Sequence, residues 1–253
     1  MTPAHPWTRY VAIGDSFTEG IGDPEPQSPG GSRGWADRVA EVLSESVDDL
    51  AYANLAIRGR LLGQILDEQI EPALELRPDL ITISAGGNDI IRPGSDPDAV
   101  SSRLEGAVER LRSDGATVVL FNGPDLGMTP VLGRIRGKVA IYNENLQYIA
   151  LKHDAVIANM WALRELKDSR MWAPDRLHFS PLGHHTIARM VLSALNVEND
   201  LEPMQPEPLP RSSWRQARTE DISWAREFLV PWVLRRIRHQ SSGDGISAKR
   251  PGF

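Results

Sequence analysis

Residues 10–20 read YVAIGDSFTEG, and this stretch decides the fold. Tyr10, Val11, Ala12 and Ile13 form a short apolar run that stops at Gly14-Asp15 and gives way to polar residues. A run of this length, holding β-branched residues and ending at Gly and Asp, predicts a buried strand. The same signature recurs at 52–56 (YANLA), 80–84 (LITIS), 117–121 (TVVLF) and 155–158 (AVIA). Between these runs, longer helical patterns cover 35–46, 62–74, 98–113, 135–152 and 181–195. Asp98 and Ser180 are the expected N-caps of two of them, with Pro181 at the first helical position. Five strands separated by helices predict an α/β fold with a five-stranded parallel sheet covered on both faces. Ligands of such open sheets sit beyond the carboxyl ends of the strands. GDSFTEG, IRGR (57–60) and AGGND (85–89) each follow a strand, so all three are expected on one edge.

The 253 residues suffice for one well-buried α/β domain with an appendage. Apolar residues at 41% and charged residues at 25% place the chain among globular proteins. A net charge of −6 argues against nucleic acid as the partner, because a phosphate binder carries a basic face. The absence of cysteine removes disulfides, thiolate metal sites and cysteine nucleophiles. The first ten residues carry no basic-then-apolar leader, and no run reaches the roughly 18 apolar residues of a membrane span. A cytoplasmic protein is the expectation. Residues 201–253 hold nine Lys/Arg and six Asp/Glu, leaving 19 and 28 for residues 1–200, so a basic extension follows an acidic domain. The expected boundary lies at 200/201: a domain over 1–200, then a Pro-rich linker at 202–210 (EPMQPEPLP) and a Trp-containing extension.

Ser16 stands at the carboxyl end of the first strand, where a hydroxyl can enter the cleft. Asp175 and His178 are spaced D-x-x-H in APDRLHFSP (173–181). A carboxylate three residues from an imidazole on a turn can take one ring N–H and leave the other nitrogen facing a hydroxyl. Asn88 can donate its amide to a developing oxyanion, and Gly59 can present a bare backbone N–H to the same place. Singly, each of these residues has an ordinary structural reading as a cap or turn residue. Ester hydrolysis, however, needs a nucleophile, a base, an orienter and oxyanion donors together. One candidate for each role occurs here, on loops expected at one edge.

Four spaced blocks carry a further inference: Gly14-Asp15-Ser16, Gly59 in NLAIRGR, Gly86-x-Asn88-Asp89, and Asp175-x-x-His178. In this order, across roughly residues 8–196, the chain resembles the GDSL or SGNH hydrolases. The resemblance implies a three-layer flavodoxin-like fold and a serine esterase without metal or other cofactor. It implies Ser16 as nucleophile, His178 as base and then acid, and Asp175 as the orienter. The oxyanion hole would be the Ser16 and Gly59 N–H groups with the Asn88 amide. The G-x-S-x-G elbow of the larger α/β-hydrolase family is missing. A small-molecule ester of small or medium acyl group is the expected substrate. An acyltransferase or a carbohydrate deacetylase of the same family is the alternative. The rival of another class is a non-catalytic ligand-binding module on the same sheet.

Other features are weaker. His184-His185 invite a metal reading, but adjacent helical residues point about 100° apart, so packing is preferred. Asp15 is expected to accept hydrogen bonds from nearby backbone. Arg33 and Trp35, in the loop GGSRGW (30–35), and Met128, in DLGM (125–128), are candidate substrate contacts. Residues 222–238 (ISWAREFLVPWVLRRIR) form an amphipathic segment kinked at Pro231. A lid or membrane-surface element is one reading; a helix docked on the core or on a second subunit is the plainer one. Residues 241–253 (SSGDGISAKRPGF) read as a flexible end.

Overall fold

The structure, a computed structural model, describes residues 5–129, 132–208, 213–231, 234 and 241–253, apart from the side chains of Met128 and Ala217. Five strands form one parallel sheet: β1 (Arg9–Gly14), β2 (Ala51–Asn54), β3 (Leu80–Ser84), β4 (Thr117–Phe121) and β5 (Val156–Ala158). Their spatial order is β2-β1-β3-β4-β5. The chain reverses direction across the sheet after β2, so β1 and β3 flank the switch point, where the loops following them diverge and open a crevice. The three central strands, β1, β3 and β4, are almost wholly buried because helices cover both faces, while the edge strands β2 and β5 are partly buried. On one face lie α2 (Gly34–Ser44) and α7 (Pro181–Ala194), packed together through Val39, Leu43, Ile187 and Val191 among others. On the other lie α3 (Leu62–Glu75), α5 (Pro97–Arg112) and α6 (Arg136–His153), around Ile65, Leu104, Val108 and Leu146. This is the three-layer flavodoxin-like α/β arrangement.

Two short helices carry the loops of the edge. Ser16–Glu19 forms a single turn, α1, whose N-cap is Asp15, and Gly87–Ile90 forms another, α4. The expected cap at Asp98 is corrected: the cap of α5 is Asp96, which accepts from the Asp98 N–H, with Pro97 at the first helical position. The physical reason is the one that holds at Ser180-Pro181, since a proline fits where no helix N–H is needed. Ser180 does cap α7, accepting from Gly183 N–H at 3.2 Å.

The C-terminal helix begins earlier than its apolar pattern suggests. α8 spans Trp214–Trp224, capped by Ser213, and continues as a wide π turn over Ala225–Leu229 just before Pro231. Its first half is polar and exposed, so it carries no periodic apolar signal. Trp232, Arg235, Arg236 and Arg238, in the second half of the amphipathic segment 222–238, lie outside the described residues. The flexible reading of 241–253 is corrected. Asn54 and Arg250 form an antiparallel bridge at the edge of β2, and Lys249 Nζ is buried against Ser32 O, Arg33 O and Asp37 Oδ2 at 2.8–3.0 Å. A lysine removed from water in this way needs its carboxylate, and Asp37 supplies it. No helix among the described residues is long and apolar enough to cross a membrane.

Candidate active site

β1 delivers Ser16 to the sheet edge. Gln69 on α3 holds the strand end: its side chain accepts from Gly14 N–H at 2.8 Å and donates to Gly14 O at 2.9 Å. The chain then turns over Asp15, whose carboxylate accepts from Phe17 N–H at 3.1 Å and starts α1. That turn lifts Ser16 into the cleft while Phe17 packs inward, with ring centroids 5.4–5.5 Å from Trp35, Phe121 and Phe179.

The loop before α7 delivers the imidazole. Trp172 and Phe179 pair as an isolated antiparallel bridge, and Ala173 N–H donates to His178 O at 2.8 Å, which closes the loop at its base. Asp175 Oδ1 accepts the backbone N–H of Leu177 and of His178, both at 3.0 Å. Its other oxygen faces His178 Nδ1 at 2.5 Å. The second ring nitrogen, Nε2, lies 3.0 Å from Ser16 Oγ. With a carboxylate facing Nδ1, the imidazole proton sits there, and the Nε2 lone pair accepts the serine hydroxyl. Burial pushes the Asp175 carboxyl up, but the His178 side chain and the two backbone donors outweigh it and hold the group at about 2. Asp175 is therefore an anion at any working pH.

Two contacts bring residues 16 and 178 together across the sequence. His184 on α7 accepts Trp35 N–H at Nδ1 and donates from Nε2 to Ile21 O. Gly22 lies flat against the Phe179 carbonyl, with a φ of +101° that favours glycine. A Cβ at Gly22 would overlap that oxygen and press on His178 Cβ at 3.2 Å. Gly22→Ala should therefore push the His178 loop away from Ser16 and lower kcat about 100-fold, the scale of a 1 Å misplacement. Steady-state kinetics at a temperature where the variant stays folded would measure this, and an unchanged kcat would refute the contact's role.

Gly59 and Asn88 line the same cleft as Ser16. Glu19, buried at the end of α1, accepts Arg58 N–H at 2.7 Å and pairs with the Arg58 guanidinium, so the Gly59 loop is tied to the Ser16 turn. Asn88 Nδ2 donates to Asp15 Oδ2 at 3.0 Å and to Arg60 O at 3.1 Å. Asp89 accepts Leu62 N–H at 2.8 Å and fixes α4 against the start of α3. Glu19 and Gln69 escape motif reasoning because each acts on a distant backbone group, and Asp89, though part of the third block, leaves no sign there of its bond to Leu62. The cleft itself is about 1420 Å³ and largely apolar, with Ile90, Leu126, Val139 and Trp172 in its walls.

Two expected substrate contacts are corrected. Trp35 is fully buried with its ring 4.4 Å from Phe121, and Arg33 pairs outward with Glu41. Neither lines the cleft, because the loop 30–35 turns onto α2 on the far side of Phe17. The Met128 side chain lies outside the described residues. His184 is buried in packing and His185 Nε2 sits 2.8 Å from Glu202 O. Among the described residues no three His, Cys, Asp or Glu side chains gather as a metal site.

Comparison with known proteins gives this geometry its context. Residues 12–186 match the model of the GDSL-like lipase/acylhydrolase family. The chain belongs to that family. As a GDSL-family protein it is a hydrolase acting on ester bonds. It is 25% identical over 215 residues to the protein YpmR of Bacillus subtilis (strain 168), covering 74% of this chain and 81% of that one. It is 28% identical over 113 residues to an arylesterase of Vibrio mimicus, covering 45% of this chain and about half, 53%, of the relative. Among solved structures, TesA shares the fold with a TM-score of 0.62 at 20% identity, covering 74% of this chain and 97% of its own. The acetyl xylan esterase Axe2 of Geobacillus stearothermophilus does so with a TM-score of 0.61 at 18% identity, covering 78% and 98%. The family match ends before α8, so the extension of this GDSL-family chain lies beyond it.

Two buried groups beside the site act on stability in opposite directions. Burial lowers His184 from 6.5 to about 4. Between those values the unfolded chain binds the extra proton, so this contribution is present above pH 6.5 and lost as the pH falls toward 4. Burial raises Asp15 from 3.8 to about 6, against the pull of Phe17 N–H, His178 and Asn88. Here the folded chain binds the extra proton, so the contribution is present below 3.8 and lost as the pH rises through 6. Asp15→Asn removes the second contribution and keeps the first. Its urea midpoint should fall more steeply than the wild type's between pH 6 and 4; an equal or shallower slope would contradict the assignment.

Proposed function

We propose that this chain cleaves carboxylic esters of small or medium acyl groups through an acyl-enzyme on Ser16. The observation that supports this best is the unbroken hydrogen-bond chain Asp175–His178–Ser16, 2.5 and 3.0 Å, at the wall of an apolar cleft. Ser16 Oγ attacks the ester carbonyl while His178 Nε2 takes its proton. The carbonyl oxygen becomes an anion facing the N–H groups of Ser16 and Gly59, and the Asn88 amide joins them by giving up its bond to Arg60 O, since both its hydrogens are donated in the resting site; each such donor is typically worth about 2.7–4 kcal/mol. The imidazolium, stabilised by the Asp175 anion, then protonates the leaving alcohol as the C–O bond breaks. Water attacks the acyl-enzyme, His178 takes its proton, and Ser16 leaves with that proton restored.

By their names the arylesterase acts on aryl esters and the acetyl xylan esterase on an acetyl ester, and the acetyl group supports the small end of the range. A series of p-nitrophenyl acetate, butyrate, octanoate and palmitate tests it. The specificity constant should peak between acetate and octanoate and drop at palmitate. A steady rise through palmitate would overturn the size range, and failure of a fluorophosphonate to label Ser16 would overturn the acyl-enzyme.

A further inference from the structure

The C-terminal extension reaches the site twice, at two loops that the family blocks supply. The first contact is on the acid–base turn. Trp224 of α8 donates its indole N–H to the backbone carbonyl of Asp175 at 3.0 Å. Arg176, the next residue, stacks on the Trp224 ring at 4.9 Å and binds Asp221 of α8 at 2.7 Å. Arg176 itself is held at φ +56°, a conformation that a non-glycine residue rarely adopts unless its surroundings hold it. The helix therefore grips the turn at the residue that orients the imidazole.

The second contact is on the oxyanion loop. Ser241, Ser242, Gly243 and Asp244 form a turn, closed by Ser241 N–H donating to Asp244 Oδ2 at 2.9 Å and Gly243 N–H to Ser241 Oγ at 3.2 Å. Gly243 packs flat on the Arg58 carbonyl, and a Cβ there would overlap that oxygen. The Ser241 hydroxyl lies over the Cα of Gly59, where a side chain would otherwise stand. This turn is no loose end, because the buried Lys249–Asp37 pair and the Asn54–Arg250 bridge anchor the segment just after it.

We infer that Trp224 and the Ser241–Gly243 turn are positioning elements for the esterase reaction, clamping the Asp175–His178 turn and the Gly59 loop at their working separation. The inference rests on the Ser16 acyl-enzyme reading. Trp224 and Ser242 also line the cleft, so the same extension roofs the space in which the ester binds. The chemistry explains the need for such a clamp. The imidazole and the oxyanion donors sit on different loops, and the transition state is stabilised only when both meet it at once.

Two full-length variants test this. Trp224→Phe keeps an aromatic ring for Arg176 but removes the indole donor. Gly243→Ala adds one methyl group against the Arg58 carbonyl, at a backbone conformation that alanine tolerates. With p-nitrophenyl acetate, kcat should fall on the order of tenfold for Trp224→Phe and about 100-fold for Gly243→Ala. KM should stay within about threefold, and the melting temperature should be unchanged within a few degrees. The fluorophosphonate labelling rate should fall by the same factors as kcat. Wild-type kcat in both variants, while Ser16→Ala is inactive, would overturn the clamp and leave the acyl-enzyme standing. An active Ser16→Ala would overturn the acyl-enzyme reading itself. A loss of kcat that vanishes at a temperature where the variants are fully folded would reduce the contacts to stability alone and overturn the clamp as well.

Discussion

Ser16→Ala should lower kcat for p-nitrophenyl acetate by about 10⁴- to 10⁶-fold and abolish labelling by a fluorophosphonate. The argument is stoichiometric. On the proposed mechanism the acyl group needs a covalent acceptor, and among the described residues the only hydroxyl on His178 Nε2 is that of Ser16, 3.0 Å away. Removing it leaves a base without a nucleophile to activate. Residual turnover, about 10³–10⁴ over water in enzymes of this design, would come from the oxyanion donors and binding alone. The fold should tolerate the change. α1 starts on the Asp15 carboxylate and the Phe17 N–H, neither of which involves the serine side chain, so the melting temperature should move by no more than a few degrees. Mass spectrometry of the labelled protein separates the outcomes. One adduct on the wild type and none on the variant supports the proposal; turnover near wild type in the variant sinks it.

How far the sequence disclosed this site depends on what kind of physical signal each part leaves. The strands at 80–84 and 117–121 match their elements to the residue, because a parallel strand buried on both faces leaves a continuous apolar run. The Asp175–His178 spacing is a local turn, and Ser16, Gly59 and Asn88 follow three strands, so a parallel sheet had to bring them to one edge. By contrast, α4 is one turn long and leaves no periodic pattern. Trp35 looked like a cleft residue from its nearness to Ser16 in sequence, yet the chain turns between them and buries the indole against Phe121. Gln69 on Gly14 and Glu19 on Arg58 are long-range bonds to backbone, which no spacing rule records.

The extension makes the same point in sharper form. Its composition, Ser and Gly with a few charges, is what a loose end would show. What orders it is supplied by other elements: the β2 edge for Arg250, Asp37 for Lys249, and a bare carbonyl at Arg58 for Gly243. The glycine that reads as flexibility is required because backbone must touch backbone there.

Asp175→Asn carries the second large effect, and its cause can be followed proton by proton. In the wild type, Oδ1 is held by the N–H groups of Leu177 and His178, and Oδ2 faces Nδ1. An asparagine in this turn must put its carbonyl oxygen where Oδ1 was, because two backbone donors point there and an NH₂ group would meet them head on. Its NH₂ therefore faces Nδ1, and Nδ1 must become an acceptor. The imidazole proton moves to Nε2, the atom 3.0 Å from Ser16 Oγ. A protonated Nε2 cannot accept the serine proton, so the base is present, well placed and in the wrong tautomer. The variant should keep its melting temperature within a few degrees, since the turn keeps its two backbone bonds. Its kcat should fall by about 10³- to 10⁴-fold with KM little changed. Labelling of Ser16 should slow by the same factor, because phosphonylation uses the same base. A drop in kcat of less than tenfold would mean that the Asp175 carboxylate does not set the state of His178, and the hydrogen-bond chain would lose its mechanistic meaning.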